Sequence, residues 1–478
     1  MVKTKIVATL GPGSESTEVL AGMLDAGMDV VRLNFSHGSN QDRLDVLERV
    51  RTLADERRRA VTIIGDLCGP KIRLRGVDPA RATLGVGDSV VIGATPGTGD
   101  RPRVSTTYAN MVNCVSIGDR VLIADGTIGL RVIAKQADEI ECRCELPGTL
   151  EDRKGVNLPD STVDLPSLTD KDLADVEWAV ANGVDYLALS FVRQADDVEA
   201  LRREIARHNG HQQIISKIET AAAIEVIDEI IAASDAILVA RGDLGVEMEL
   251  ARVPLLQKSI TRRSRLAAKP VIIATEMLQS MVESPTPTRA EVSDIANAVL
   301  DKVDAVMLSA ETAIGHYPTG AVQTMNNIIA ATEAFEPSTG STRAPDGAVS
   351  GPGDTVTAAV ARSAALVAAD LKPRVLVAWT RLGRTVRLLS RYRPEIPVIA
   401  LTPDKAICRR VSLYYGVTAV HTDRPNDETV RRRLIDGLLR DGGWAEPGDT
   451  VVIVAGPDSP SAALSNAIVV HQVGPLDQ

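Results

Sequence analysis

Two short segments place charged side chains directly after apolar runs. Residues 216–219 read Ser-Lys-Ile-Glu, and residues 240–245 read Ala-Arg-Gly-Asp-Leu-Gly. Their carboxylates, Glu219 and Asp243, stand 24 residues apart, which is about the length that a β–α–β unit needs between equivalent strand positions. We therefore expect both carboxylates at the C-terminal ends of neighbouring parallel strands.

This pair of carboxylates suits a divalent metal ion. Hard oxygen ligands on rigid strands favour Mg²⁺, which completes its coordination shell with water and substrate oxygens. Lys217 lies two residues before Glu219 and therefore points to the same face of the strand. A lysine and a metal ion that converge on one point can offset the charge of a transferring phosphoryl group. The spacing therefore predicts a site for phosphoryl transfer.

Eight apolar, β-branched runs must position these groups. They cover residues 5–10, 30–36, 61–67, 185–191, 214–219, 236–240, 271–276 and 305–312. Helix-period patterns lie between most of them, at residues 16–26, 170–182, 196–208, 221–232 and 289–300. Near-continuous apolar strands that alternate with helices indicate a parallel sheet covered on both faces. Eight such units predict a closed (β/α)8 TIM barrel of the α/β class, with its active site at the C-terminal strand ends.

Two regions depart from this rhythm. Between residues 70 and 164, short alternating runs and turn signals predict an inserted small β-barrel that acts as a lid domain over the barrel mouth. Residues 337–353 are polar and rich in glycine and proline, which predicts a linker, and residues 354–478 have the pattern of a separate C-terminal open α/β domain. The catalytic barrel is then expected from residues 1–69 and 165–336.

Polar side chains at other strand ends are further candidate contacts. Arg32, Asn34 and Ser36 alternate at the end of the second strand and should share one face. A barrel core would hold aliphatic residues there, so these side chains favour contact with a phosphate or carboxylate over the alternative, an internal polar network. Asp66 ends the third strand, and Thr275 ends the seventh. The Thr275 hydroxyl could bind a substrate carboxylate, hold a water that relays a proton during catalysis, or cap the next turn.

Two loops offer backbone groups to an anion. After the sixth strand, Gly242 allows a ligand to approach the backbone N–H groups closely. In the C-terminal domain, the loop at residues 380–385 combines hydroxyls, a glycine and arginines before a helix, which is typical of a phosphate pocket. Because this loop belongs to another domain, we expect it to bind a phosphorylated effector through Thr380, Gly383, Arg384 and Thr385.

Composition limits the class of protein. The chain has 478 residues, of which 44% are apolar, enough for two or three domains. Aromatic residues make up only 3% and the net charge is −10, so neither nucleic acid nor a membrane is expected as a partner.

The five cysteines contain no CxxC pair, so neither a zinc cluster nor a disulfide framework is expected. No signal-peptide pattern or apolar run of transmembrane length is present, and we expect a cytoplasmic location.

Taken together, the motifs resemble those of pyruvate kinases. The matching segments are 5–12 (KIVATLGP), 32–38 (RLNFSHG), 69–73 (GPKIR), 154–159 (KGVNLP), 216–219 (SKIE), 240–247 (ARGDLGVE), 274–275 (AT), 287–291 (PTRAE) and 307–309 (MLS). They follow the family's order through the barrel and lid, and the C-terminal domain matches more loosely. The resemblance implies Mg²⁺-dependent transfer of a phosphoryl group from phosphoenolpyruvate to ADP, the last step of glycolysis. It also implies a homotetramer regulated through its C-terminal domain.

The resemblance also implies roles for single residues. Glu219 and Asp243 would hold Mg²⁺, with Mn²⁺ as a substitute, while Lys217 and Arg32 would contact the transferring phosphoryl group. Gly242, Asp243 and Thr275 would hold the substrate carboxylate. The other implied contacts are those to nucleotide, from Asn34, His37, Arg73 and Lys154, and a monovalent-cation site at Asn34, Ser36, Asp66 and the Leu67 carbonyl.

One departure from the family affects the monovalent cation. Members that need K⁺ typically carry a glutamate where this chain has Lys71. The ammonium group of Lys71 could supply the positive charge itself, so we expect activity without added K⁺.

Two other functions stay open at this point. A Mg²⁺-dependent aldolase or lyase that acts on a pyruvate-like enolate would use the same carboxylates and cation, but would not need the lid, Arg73 or Lys154. A sensor that binds a sugar phosphate or nucleotide in its C-terminal domain would not need Lys217, Glu219 and Asp243 together. Mg²⁺-dependent formation of ATP distinguishes the three.

Overall fold

The eight apolar runs form the closed parallel barrel that their pattern predicts. The computed structural model describes residues 2–93, 95, 102–335, 354–456 and 466–475. The first three barrel strands are β1 (Lys5–Leu10), β2 (Val30–Asn34) and β3 (Thr62–Asp66), and helices α1 (Thr17–Ala26) and α2 (Asn40–Glu56) connect them. Every residue of β1 and β3 is buried, which explains why these strands are nearly continuous in apolar residues.

Within the described part of the insertion, nine short strands follow β3 and form the inserted domain. They are β4 (Leu74–Arg75), β5 (Thr83–Leu84), β6 (Ser89–Gly93), β7 (Arg103–Thr106), β8 (Arg120–Ile123), β9 (Ile128–Lys135), β10 (Glu139–Leu146), β11 (Gly148–Thr149) and β12 (Val156–Asn157), with helix α3 (Met111–Cys114) between β7 and β8. Seven of them make a mixed sheet in the order β12-β8-β9-β10-β6-β7-β4, and β5 pairs with β11. Cys142 and Cys144 pack inward in a core of this domain, so the insertion carries a hydrophobic core of its own.

The chain then completes the barrel. Its strands are β13 (Tyr186–Leu189), β14 (Gln213–Ile218), β15 (Ala236–Ala240), β16 (Val271–Ala274) and β17 (Ala305–Leu308). The helices are α4 (Asp170–Ala181), α5 (Ala195–Arg207), α6 (Ala221–Glu225), α7 (Ile227–Ala233), α8 (Arg241–Glu247), α9 (Val253–Leu266), α10 (Arg289–Leu300), α11 (Ala310–Ala313) and α12 (Pro318–Phe335). The barrel closes in the order β1-β17-β16-β15-β14-β13-β3-β2. The insertion therefore leaves from the C-terminal end of β3, the face where barrel enzymes carry their active sites.

The predicted runs at 30–36, 185–191 and 271–276 each extend two residues beyond β2, β13 and β16, and two further barrel elements differ more. The run at 305–312 was predicted as one strand, but β17 ends at Leu308 and α11 follows. The buried carboxylate of Glu311 accepts hydrogen bonds from the N–H groups of Ser309 (2.6 Å) and Leu278 (3.0 Å), which turns the chain away from the strand. The helical pattern at 221–232 forms two helices instead of one. Val226, which lies between α6 and α7, has a non-helical φ of −117°.

The C-terminal residues form an open, mostly parallel sheet with helices, as predicted. The elements are α13 (Asp354–Leu371), β18 (Leu376–Trp379), α14 (Arg384–Arg391), β19 (Val398–Thr402), α15 (Lys405–Val411), β20 (Val417–His421), α16 (Glu428–Asp441), β21 (Thr450–Ala455) and β22 (Ala467–Gln472). The strand order is β20-β19-β18-β21-β22, and β22 alone among these described strands runs antiparallel to its neighbour. The predicted linker at 337–353 lies outside the described residues. Among the described residues, no helix combines the length and the apolar character needed to cross a membrane.

The C-terminal domain contacts the barrel at the N-terminal ends of its strands. Lys5 Nζ donates a hydrogen bond to the Val417 carbonyl (2.8 Å), and Arg409 Nε donates to Asp185 (2.8 Å). Buried side chains of the barrel interior and of the C-terminal domain belong to one continuous apolar cluster. These contacts cover one end of the barrel and leave the other end, with the polar strand ends, facing the inserted domain.

Candidate active site

The side chain of Lys217 lies within a buried cluster of charges. Its Nζ is 2.9 Å from Glu219 Oε1 and 3.4 Å from Asp66 Oδ1, and it donates a hydrogen bond to Ser190 Oγ (2.8 Å). The Asp66 and Glu219 side chains are only 2% and 1% exposed. Because Ser190 follows β13 and β13 neighbours β14, the closed barrel brings together residues that lie far apart in the sequence.

Burial and opposite charges compete in this cluster. Burial lowers the pKa of Lys217, but Asp66 and Glu219 outweigh it and hold the pKa above its ordinary value. Burial raises the pKa of Asp66, yet Lys217 and Arg32 outweigh it and hold that pKa below its ordinary value. Since each ion is buried with opposite charges close by, the ammonium and the Asp66 carboxylate both stay charged at neutral pH.

Arg32 joins this cluster from β2. Its Nε donates to Asp66 Oδ2 (2.6 Å) and its Nη1 donates to Thr9 Oγ1 (3.0 Å). The predicted alternation holds for Arg32 and Asn34, which are half-buried between buried apolar residues. Ser36 lies in the turn after β2, where its N–H donates to Asn34 Oδ1 (3.1 Å). The guanidinium group is thus fixed, and its planar donors suit a phosphoryl group.

Glu219 and Asp243 lie just beyond neighbouring strands, as predicted. Strands β14 and β15 pair in parallel, and Asp243 lies in the first turn of α8, which begins directly after β15. The pKa of Glu219 is raised by burial, against the effect of Lys217, and the negative charge of Asp243 raises it further. A divalent cation would relieve this repulsion, and two carboxylates form a hard-oxygen donor set that fits Mg²⁺.

The loops after β15 and β16 are tied to each other. The Gly242 N–H donates to Thr275 Oγ1 (2.8 Å), and Arg241 Nη2 donates to the Thr275 carbonyl (2.7 Å). Thr275 and Glu276 have φ angles of 73° and 55°, a left-handed conformation that non-glycine residues rarely adopt. Such a conformation persists where surrounding contacts impose it, and here the contacts come from Arg241 and Gly242.

The predicted nucleotide contacts lie on two segments. Arg73 Nη1 donates to the Arg153 carbonyl (2.9 Å), so Arg73 adjoins the segment that carries Lys154, and Lys154 itself pairs with Glu151 (3.2 Å). Asn34 and His37 belong to the end of β2 and its loop, where the His37 N–H donates to the Asn34 carbonyl (3.3 Å). Arg73, Lys154 and His37 are exposed and accessible to a ligand.

The four groups predicted for a monovalent cation have different partners. Ser36 Oγ donates to Cys68 Sγ (3.2 Å), and the Leu67 carbonyl accepts from Ser190 Oγ (2.8 Å). Asp66 Oδ1 is buried and has no hydrogen-bond partner among the described residues. A buried carboxylate oxygen without a hydrogen bond fits a role as a cation ligand.

Lys71 lies close to Asp243, one of the two carboxylates predicted to bind Mg²⁺. Its Nζ is 3.3 Å from Asp125 Oδ1 and 3.9 Å from Asp243 Oδ1. A Cβ atom on Gly155 would be 2.6 Å from Lys71 Cε, so glycine at this position leaves room for the lysine side chain. Among the described residues, the ion pairs of Lys71 are with these two aspartates rather than with Asp66.

The predicted effector residues lie close together in the sequence: Thr380 and Gly383 on the loop between β18 and α14, and Arg384 and Thr385 in the first turn of α14. Thr380 Oγ1 accepts a hydrogen bond from the Gly383 N–H (2.9 Å), and Gly383 has a φ of 79° directly before the first residue of α14, Arg384. Thr380 and Thr385 are buried. Glycine is favoured here because the turn uses the left-handed region and a Cβ atom would lie 2.8 Å from Val411 Cγ1.

Two residues of the site were given no role from the sequence, although Arg241 belongs to the segment 240–245 singled out there. Ser190 contacts Lys217 and the Leu67 carbonyl, and Arg241 holds the loop that carries Thr275. Both are polar residues at the end of an apolar run, the same signal that indicated Lys217, and applying it to every strand would have found them.

Fold and site together define the class: a (β/α)8-barrel enzyme with an inserted domain at its mouth and a buried charged centre at the strand ends. Residues 1–322 match the family model for the pyruvate kinase barrel domain, and residues 358–471 match that for the pyruvate kinase alpha/beta domain. The chain is 41% identical to a pyruvate kinase of Geobacillus stearothermophilus, covering 99% of this chain and 81% of that protein. It is 40% identical to a pyruvate kinase of Mycobacterium tuberculosis, covering 99% of both.

A solved structure agrees with these matches. The crystal structure of a pyruvate kinase from Cryptosporidium parvum superposes with a TM-score of 0.92 at 34% identity, covering 99% of this chain and 96% of that one. The chain therefore belongs to the pyruvate kinase family, a family of phosphotransferases that act on phosphoenolpyruvate and ADP. The predicted family, fold class and enzyme class are confirmed.

Proposed function

We propose that the charged cluster around Lys217 is the centre at which this chain transfers a phosphoryl group from phosphoenolpyruvate to ADP. The observation that carries this proposal is the buried ammonium group 2.9 Å from Glu219 and 3.4 Å from Asp66. A buried cation held by carboxylates can stabilise negative charge that develops during transfer, because little solvent screens it.

Glu219 and Asp243 would hold Mg²⁺, and Mn²⁺ shares the same preference for carboxylate ligands. When bound, the metal ion supplies positive charge to phosphoryl and enolate oxygens. Burial raises the pKa of Glu219, and the negative charge of Asp243 raises it further, which supports a cation between these two side chains.

The remaining steps belong to the chain's own side chains. Arg32 binds the phosphoryl group, held in place by Asp66 and Thr9. Thr275 Oγ1 and the amides of Gly242 and Asp243 bind the substrate carboxylate, which would replace the present hydrogen bonds from the Gly242 N–H to Thr275 Oγ1 (2.8 Å) and from Thr275 Oγ1 to the Ala274 carbonyl (2.6 Å). An oxygen of ADP attacks phosphorus, the bond to the enolate oxygen breaks, and Lys217 offsets the enolate charge until carbon takes up a proton.

Nucleotide would bind at the base of the inserted domain. Arg73 and Lys154 would contact the phosphates from this domain, and Asn34 and His37 would contact the nucleotide from the barrel. The exposure of Arg73, Lys154 and His37 supports this proposal. Closure of the inserted domain would then exclude water from the transferring group.

We also propose that K⁺ is dispensable. The site formed by Asn34, Ser36, Asp66 and the Leu67 carbonyl would accept a monovalent cation. Asp66 Oδ1 supports this assignment, because among the described residues it accepts no hydrogen bond and its close cation is Lys217 Nζ at 3.4 Å. The ammonium of Lys71, already at the mouth beside Asp243, would supply a positive charge to the same anionic substrates.

We also propose how the chain is regulated and assembled, by analogy with its family. A phosphorylated effector would bind at Thr380, Gly383, Arg384 and Thr385, and the left-handed Gly383 at the start of α14 supports a phosphate pocket. The chain would act as a homotetramer in the cytoplasm. Analytical ultracentrifugation, with and without candidate sugar phosphates or AMP, tests both the assembly and its response to an effector.

The first experiment measures ATP formation from phosphoenolpyruvate and ADP with Mg²⁺, in paired assays with K⁺ and with a bulky organic cation. Equal activity in both assays supports the proposed reaction and the role of Lys71. Activity only with K⁺ keeps the reaction and contradicts the role of Lys71. No ATP in either assay, even with candidate effectors added, contradicts the proposed reaction.

A further inference from the structure

We propose that Ser190 is a positioning residue that orients the ammonium group of Lys217. This inference rests on the role in phosphoryl transfer proposed above for Lys217. Ser190 directly follows β13 and is 3% exposed. Its Oγ accepts a hydrogen bond from Lys217 Nζ (2.8 Å) and donates one to the Leu67 carbonyl (2.8 Å).

The direction of the Ser190 hydroxyl is determined by the main chain. A hydroxyl has one proton to donate and two lone pairs to accept with. Because the Leu67 carbonyl can only accept, the proton points to Leu67 and the lone pairs face Lys217. Ser190 therefore presents a fixed acceptor to the ammonium group, and the end of β3 determines its orientation.

A neutral acceptor differs from the other partners of Lys217. Those partners, Glu219 and Asp66, are carboxylates, and each reduces the positive charge available to a phosphoryl group. Glu219 is also the proposed metal ligand, so its oxygens would be shared with the metal ion. Ser190 fixes the orientation of the ammonium group without neutralising its charge. The positive charge is therefore preorganised for the transition state.

The backbone after Ser190 supports the same arrangement. Phe191 has a φ of 55°, a left-handed conformation that is rare for a non-glycine residue and is retained where function or packing imposes it. Its N–H donates to Glu219 Oε2 (2.7 Å). The side chain of Ser190 and the backbone of Phe191 thus orient Lys217 and Glu219 from adjacent positions.

The test begins with Ser190→Ala, assayed at saturating Mg²⁺. We expect kcat to fall about 10- to 100-fold, since small misplacements of a catalytic group have effects of this order. The KM values and the calorimetric Kd of phosphoenolpyruvate should stay within about threefold of the values of the unmutated enzyme, because Arg32 and Thr275 still bind it.

Ser216→Ala is the matched control, because Ser216 is a buried serine next to Lys217 whose Oγ contacts Ser234 Oγ (2.6 Å) instead of the ammonium group. Its kcat should stay within about threefold of the unmutated enzyme.

A second pair of variants separates the hydroxyl from packing. Ser190→Thr and Ser190→Val have nearly the same shape, so any crowding in this buried position affects both equally. We expect the threonine variant to have at least about tenfold higher kcat than the valine variant, since it keeps the acceptor. Equal kcat in these two, or equal losses in Ser190→Ala and Ser216→Ala, would overturn the inference.

Lys217→Met distinguishes this inference from the proposed function. If Lys217→Met is inactive while Ser190→Ala retains full kcat, only the positioning role of Ser190 is wrong. If Lys217→Met retains full kcat, the role of Lys217 is wrong, and the positioning role of Ser190 fails with it.

Discussion

Arg32 Nε and Asp66 Oδ2 form a 2.6 Å ion pair in which the side chains are 14% and 2% exposed. The other oxygen of the same carboxylate is 3.4 Å from Lys217 Nζ. One buried carboxylate therefore connects the two cations proposed to contact the phosphoryl group. The single negative charge of Asp66 balances only part of the positive charge of Arg32 and Lys217. The cluster therefore still attracts an anion once Glu219 also binds a metal ion.

Replacing Asp66 tests this connection. In Asp66→Asn, a neutral amide would face two buried cations, so Arg32 and Lys217 would repel each other and shift. We expect kcat/KM for phosphoenolpyruvate to fall about 100- to 1,000-fold, the range seen when preorganised charge is lost. The control is Asp25→Asn, because Asp25 also pairs with an arginine (Arg57, 2.8 Å) but is exposed. Steady-state kinetics that leave Asp66→Asn within threefold of the unmutated enzyme would contradict the proposed role.

Metal binding should stabilise the folded chain. A ligand that binds only the native state, present at a free concentration of 100 times its Kd, adds about 2.7 kcal/mol to the free energy of unfolding. Each kcal/mol raises Tm by roughly 2–4 °C in a domain of this size. We expect Mg²⁺ to raise Tm in the unmutated protein and to have little effect in Glu219→Gln, which lacks one of the two carboxylates. Calorimetry checks both proteins, and an equal rise in both would argue against Glu219 as a ligand.

The affinity for Mg²⁺ should fall at acid pH. Burial and the neighbouring Asp243 raise the pKa of Glu219 in the metal-free protein, so this carboxylate takes up a proton at a higher pH than an ordinary glutamate. Only the deprotonated form binds the metal ion. Below the raised pKa of Glu219, the Kd for Mg²⁺ should increase about tenfold for each pH unit. Titrations at several pH values check this dependence, and a Kd that is constant from pH 7 down to pH 4 would be inconsistent with it.

Exchanging Lys71 should create a need for K⁺. Lys71→Glu replaces a cation 3.9 Å from Asp243 with a third carboxylate beside Asp125 and Asp243, and an external cation must then supply the lost charge. We expect activity with a bulky organic cation to fall more than about tenfold and K⁺ to restore most of it. Lys71→Met, which removes the charge without reversing it, should show a smaller dependence. If the unmutated enzyme itself requires K⁺, the proposal for Lys71 is wrong.

Many features of the fold and site follow from local sequence pattern. The barrel strands were recognisable because strands buried on both faces must be apolar along their whole length. Arg32, Asp66, Lys217 and Thr275 were recognisable because a polar residue at the end of such a strand is out of place unless it binds something. Glu219 and Asp243 were predicted on neighbouring strands because a β–α–β unit has a characteristic length.

Other features depend on contacts between distant segments. The contact of Ser190 with both Leu67 and Lys217 joins three strands, β3, β13 and β14, and arises from the register of a closed barrel rather than from spacing along the chain. The end of β17 was placed too late because the buried Glu311 bonds to backbone N–H groups at 278 and 309. The pairing of Lys71 with Asp125 depends on how the inserted domain meets the barrel, which no local pattern encodes.

Asp185 should be important for the attachment of the C-terminal domain to the barrel. Its carboxylate lies one residue before β13 and is 1% exposed. It accepts from Arg409 Nε (2.8 Å) of the C-terminal domain, and from Arg51 Nη2 (3.1 Å) and the Ile63 N–H (2.9 Å) of the barrel. One buried carboxylate therefore balances two arginines from different domains.

We expect Asp185→Ala to lower the free energy of unfolding by about 3–5 kcal/mol, because it leaves two partly buried arginines without their anion. Arg409→Ala should have a smaller effect, since Arg51 still neutralises Asp185 and the missing side chain is partly replaced by water. The double variant should then be less destabilised than the sum of the two, because the second change removes a cation that the first left unpaired. Denaturant unfolding of all four proteins measures this coupling. Additive effects would show that Asp185 and Arg409 contribute independently and that their ion pair does not hold the two domains together.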